Sequence, residues 1–98
     1  MKRLLLIMLF LALGSFANGE VYKEYYPNGA LFSETRVING SMEGISRSYY
    51  PNGKIRTEIE YKNNRKNGVA KSYDENGKLT GKIVYKDDVA MSIERYWL

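Results

Sequence analysis

The 98-residue chain has no cysteine, no histidine and only two prolines. Without cysteine there is no disulfide to stabilise a small domain, and no lipid-anchoring thiol behind a leader. Without cysteine or histidine the commonest zinc and copper ligands are missing. So are the usual nucleophile and base of acyl transfer. A long apolar run is also lacking. Leu4–Leu13 is unbroken but only ten residues long, against the ~20 needed to span a bilayer. No glycine stands in a strand-to-helix phosphate loop. The carboxylate pairs Glu58/Glu60, Asp74/Glu75 and Asp87/Asp88 would need a cleft for glycoside chemistry, and a single sheet provides none. These absences argue against an enzyme, a metal and a cofactor.

The start of the chain carries a targeting pattern. Lys2 and Arg3 precede the apolar run, and Ser15-Phe16-Ala17 offers small residues at both positions that a signal peptidase recognises. This predicts a signal peptide over 1–17, cleavage before Asn18, and an exported chain that is periplasmic or secreted, with no membrane span afterwards. Without Lys2 and Arg3 the net charge falls from +4 to +2, a weak basis for binding nucleic acid.

The rest of the chain, the domain 18–98, is periodic. "YYPNG" occupies 25–29 and again 49–53, and "YDENG" ends at Gly77. The units run 21–44, 45–68 and 69–92, with a half copy at 93–98. A second turn signal follows in each, at Ile38-Asn39-Gly40, Lys62-Asn63-Asn64 and Lys86-Asp87-Asp88. Two turns per unit mean two strands per unit. The expectation is a single-layer, all-β antiparallel meander of seven strands, near 20–26, 30–37, 41–50, 54–61, 65–74, 78–85 and 89–98. At ~4.8 Å between strands it would span ~30 Å.

Odd positions are mostly apolar on both sides of every turn, from Val21, Tyr25, Leu31 and Val37 to Ile83 and Tyr85. If alternation runs unbroken, paired residues share parity, which requires a three-residue loop rather than a two-residue type I′ turn. All six turns are therefore expected to be type I turns closed by a left-handed residue. Gly29, Gly53, Gly77, Gly40, Asn64 and Asp88 would take the left-handed position.

One array exceeds what folding alone requires. Lys23, Arg47, Lys71 and Arg95 recur at one repeat position, each two residues before an aromatic: Tyr25, Tyr49, Tyr73 and Trp97. On the odd face they would form a row of cations and rings suited to an acidic protein, glycan or lipid surface. Glu34, Glu58 and Lys82 would lie on the opposite, even face. The same array would also arise if long stems simply cover apolar surface.

The units YYPNGK, the following YKN-like turn and Gly68 resemble the MORN-repeat variant found in bacteria. The resemblance covers 20–98. Glu20 and Ser92 stand where Gly44 and Gly68 do, Asp74 replaces the second tyrosine, and Asn64 and Asp88 replace glycine. The resemblance implies an elongated β-meander used for contact with proteins or membranes, and some bacterial members carry an antitoxin label. A binding module for a protein or envelope component is the first expectation. The others are a self-associating element forming a homo-oligomer, or an antitoxin-like or immunity-like protein.

Overall fold

The computed structural model describes residues 19–96; the expected leader, Trp97 and Leu98 lie outside them. Every element is a strand: β1 Glu20–Tyr25, β2 Leu31–Ile38, β3 Ser41–Met42, β4 Gly44–Tyr49, β5 Ile55–Lys62, β6 Arg65–Tyr73, β7 Leu79–Lys86 and β8 Val89–Arg95. They form one open antiparallel sheet in the order β1-β2-β4-β5-β6-β7-β8, with β3 also paired to β2. The two-residue β3 and the adjoining β4 together form the expected third strand, interrupted at Glu43. The seven-strand meander is therefore present, with no helix among the described residues.

The turns are of two kinds, not one. At Pro27-Asn28-Gly29 the loop has three residues: Tyr26 N–H donates to Ala30 O at 2.8 Å, and Gly29 N–H to Tyr26 O at 2.9 Å. The loops ending at Gly53 and Gly77 repeat this geometry, and all three glycines have φ near +90°. Asn28 and Asn52 side chains accept from the backbone N–H two residues on, and Asp74 does so at its own turn. The second set departs from the expectation. Ile38 pairs with Ser41, Lys62 with Arg65 and Lys86 with Val89, leaving two-residue loops. Asn39, Gly40, Asn63, Asn64, Asp87 and Asp88 all have positive φ. Two consecutive left-handed residues define the type I′ turn, whose twist matches that of the flanking strands.

Parity is reset by bulges, so there is no single odd face. Tyr25 pairs with Leu31 but Glu24 pairs with Ser33, which leaves Phe32 extra. Arg56 and Thr80 are extra at the equivalent places. Each bulge moves the rest of its second strand to the other parity. Val37, Ile59, Tyr61, Ile83 and Tyr85 thereby leave the face that carries Val21, Tyr25, Ile45, Tyr49 and Tyr73.

A second irregularity sits before the start of the next unit. Between the pairs Tyr61–Lys66 and Ile59–Ala70, β6 has two residues more than β5. Gly68 takes φ +116° there, and the Glu60 carboxylate accepts the Val69 N–H at 2.7 Å. Gly44, at φ +84°, occupies the corresponding place one unit earlier. Two extra residues preserve parity. In the third unit Ser92 replaces the glycine, and β8 has only one residue extra against β7. A side chain resists the left-handed conformation, so the larger bulge is lost and β8 changes parity.

The sheet has little core. Only Gly19, Tyr26, Ser48 and Ala70 are buried among the described residues. Cohesion comes instead from bonds between units. Tyr26 Oη donates to Tyr49 O at 2.7 Å and Tyr50 Oη to Tyr73 O at 2.6 Å. Asn64 N–H reaches Met42 O, and Asp88 N–H reaches Lys66 O. Tyr26 also meets the bulged Phe32 edge to face, and the Arg56 guanidinium lies over the Phe32 ring, 5.1 Å from its centroid.

Candidate binding surface

The register brings seven charged residues into one cross-strand row: Lys23, Glu34, Arg47, Glu58, Lys71, Lys82 and Glu94. Each is the direct partner of the next. Lys23 Nζ lies 3.8 Å from Glu34, Arg47 Nε 3.0 Å from Glu58, and Lys82 Nζ 3.8 Å from Glu94. Placing Glu34, Glu58 and Lys82 on a separate, even face was therefore incorrect. The bulges at Phe32, Arg56 and Thr80 bring them beside the cations.

The tyrosines belong to the same face and act on the same carboxylates. Tyr49 Oη donates to Glu34 at 2.9 Å, and Tyr73 Oη donates to Glu58 at 2.9 Å. Tyr25 occupies the equivalent position on β1, opposite Leu31. Burial pushes the Glu58 carboxyl up, but hydrogen bonds from Arg47 and Tyr73 outweigh it and hold the group below its ordinary value. Burial, then the bond to a carboxylate, raises Tyr49 and Tyr73. The bond to Glu58 raises Arg47 further. These shifts favour Arg47–Glu58 as an ionised pair, with Tyr49 and Tyr73 as neutral phenols beside it.

Two members of the expected array fall elsewhere. Arg95 is opposite Gly81, on the reverse face, because β8 has changed parity and Glu94 occupies the row instead. Trp97 lies outside the described residues. Sequence reasoning missed Glu34, Glu58 and Glu94 as members of the row, and Tyr26 and Tyr50 as links between units. The 24-residue recurrence of Glu34 with Glu58 and of Tyr26 with Tyr50 was the available signal, and Glu94 had none. An unbroken alternation had assigned the first group to the wrong side.

Charge alternates along the row until Lys71 meets Lys82. Lys82 stands at the repeat position of Glu34 and Glu58, so a cation replaces the carboxylate. Lys71 is exposed and makes no ion pair among the described residues, since Arg47 and Tyr73 already engage Glu58. Like charges directly opposite repel, and an incoming anion would relieve that repulsion.

The reverse face is lined by small hydroxyls. Thr35 and Ser46 are 2.9 Å apart, Ser48 and Thr57 2.5 Å, and Ser72 and Thr80 3.1 Å. Toward β8 this face opens into a shallow groove of about 290 Å³ floored by Ile59, Ala70, Ile83 and Ile93. Among the described residues no cluster of three or more carboxylates could hold a metal ion.

The sequence model of the MORN repeat variant matches residues 21–39, 42–63 and 66–87, more than half of the chain. The chain belongs to this family. MORN repeats typically serve as binding or structural modules, generally without catalysis. Each of the three matched segments contains one three-residue turn and one row tyrosine, and the Tyr49–Glu34 and Tyr73–Glu58 bonds join neighbouring segments, so the candidate surface is built from the MORN unit itself. No curated protein and no solved structure matches this MORN repeat chain.

Proposed function

We propose that this chain is an exported, non-enzymatic MORN module that binds an acidic protein or cell-envelope surface through the tyrosine-and-charge face. The observation that carries the reading is the break in alternation at Lys71 and Lys82, flanked by Tyr73 and by carboxylates already engaged. Tyrosine and basic side chains on one rigid face supply contact area and an electrostatic anchor. Export is supported by the basic start, the short apolar run and the small residues before Asn18.

The test is recovery of envelope components by the wild-type chain and by two charge-neutralised variants. Lys71→Gln with Lys82→Gln removes the adjacent cations without setting four carboxylates in succession from Glu58 to Glu94. Lys54→Gln with Lys78→Gln makes the same charge change at exposed turn residues. The first pair should lose the recovered component, and wild-type binding should weaken with salt. Loss with the turn pair alone would overturn the assignment.

A further inference from the structure

The strand β8 is exposed along its whole length, including Val89, Met91 and Ile93 at 59%, 64% and 56%. It is an edge strand, and its free side carries usable backbone groups. Tyr96 N–H points inward to Thr80 O at 2.8 Å. Alternation then points the N–H and C=O of Ile93 and Arg95 outward. No proline blocks this stretch, and the bulge near Met91 lies before it. An exposed, unblocked edge is a template for another strand.

The rows that end at β8 specify what that strand should carry. On the hydroxyl face Ile59, Ala70, Ile83 and Ile93 form one apolar cross-strand row. The next position in it calls for an apolar, β-branched residue. On the charged face the row ends at Glu94, next to Lys82, and its next position calls for a cation. Arg95, on the hydroxyl face opposite Gly81, makes no ion pair among the described residues and calls for a carboxylate. In an antiparallel partner these demands occur in the order acid, base, β-branched.

We infer that β8 is a docking edge for an extended peptide segment of another protein, running antiparallel and presenting Glu or Asp, Lys or Arg, and Ile or Val in succession. Main-chain bonds to Ile93 and Arg95 supply attachment, and the three side chains set the register. Docking here uses the free backbone edge of β8 rather than the Lys71–Lys82 surface, with Glu94 bordering both, and the amide-exchange readout at Ile93 and Arg95 lets either assignment fail without the other.

Two synthetic nonapeptides based on residues 54–62 provide the test against the full chain. The first carries Thr57→Glu and Glu58→Lys, which sets Glu-Lys-Ile against Arg95, Glu94 and Ile93. The second carries Thr57→Lys alone and keeps Glu58, giving the same composition with the two charges exchanged. Amide exchange followed by NMR should slow at Ile93 and Arg95 with the first peptide. The second should bind about five-fold more weakly, the scale of a cross-strand charge pair. Glu94→Lys with Arg95→Glu in the chain should reverse that preference. Equal binding of the two peptides, no slowing at Ile93 and Arg95, or a preference unmoved by the charge exchange would overturn the proposal. So would sedimentation showing that two copies of the chain cover β8 without peptide.

Discussion

Replacing Gly68 by alanine separates two costs that the repeat combines. Gly68 has φ +116°, and a Cβ built there overlaps the carboxylate of Glu60. That carboxylate is the acceptor for Val69 N–H at 2.7 Å. Gly44 has φ +84°, and a Cβ there would meet nothing within 4 Å. Gly44→Ala should therefore cost only the backbone strain, ~1–2 kcal/mol. Gly68→Ala adds displacement of Glu60 and loss of its bond, bringing the total to ~3 kcal/mol. For a domain of this size that difference of ~1–2 kcal/mol is roughly 4–16 °C in Tm. Thermal melts followed by circular dichroism measure it directly. Glu60→Ala provides the internal control. In that background Gly68→Ala should cost no more than Gly44→Ala, because the overlapping group is gone. Equal costs for the two glycines in the unmodified chain would refute the role given to Glu60.

Other outcomes follow from features at single residues. Gly53→Val should lower Tm far more than Lys54→Val, because Gly53 holds φ +91° while Lys54 is exposed beside the strand; equal melts would contradict the loop geometry. Glu58 is held below its ordinary 4.5, so its ionised form contributes stability above that pH, and the contribution is lost as pH falls through the lower folded-state value. Glu58→Gln should flatten the acid limb of Tm against pH. Tyr73 is raised above its ordinary 10.0, so its contribution is present below pH 10 and is lost as pH rises through the folded-state value. Tyr73→Phe should remove that alkaline loss. Mass spectrometry of extracytoplasmic material should find the terminus at Asn18, whereas intact chain held only in membrane would count against cleavage.

The repeat, the strand type and the seven-strand meander were legible because turn residues and strand residues recur in phase over three units. Loop length was only half legible. Pro27 and Pro51 require negative φ, which excludes them from a type I′ turn and favours the longer loop. Asn63-Asn64 and Asp87-Asp88 carry no such restraint, and both members of each pair adopt positive φ. The candidate surface was less legible still. Lys23, Arg47 and Lys71 do share a face with Tyr25, Tyr49 and Tyr73, but the bulged Phe32, Arg56 and Thr80 bring the carboxylates to that face too. A bulge depends on which residue is left unpaired, and hydrophobic alternation contains no mark for it. One consequence is that Arg47→Glu is not a neutral surface change. It would set three carboxylates in succession at Glu34, position 47 and Glu58.

Ser92 also has a bearing on how such a sheet can lengthen. Each unit switches parity at its first hairpin and switches back by the next strand, so duplicated units stack with like faces aligned. That return depends on a glycine in the larger bulge, present at Gly44 and Gly68. A unit duplicated onto the far side of β8 would inherit the shifted parity and place its tyrosines on the hydroxyl side. Ser92 is thus a phase stop for growth by tandem duplication, and glycine at that position is the first change that a longer, in-phase sheet would need.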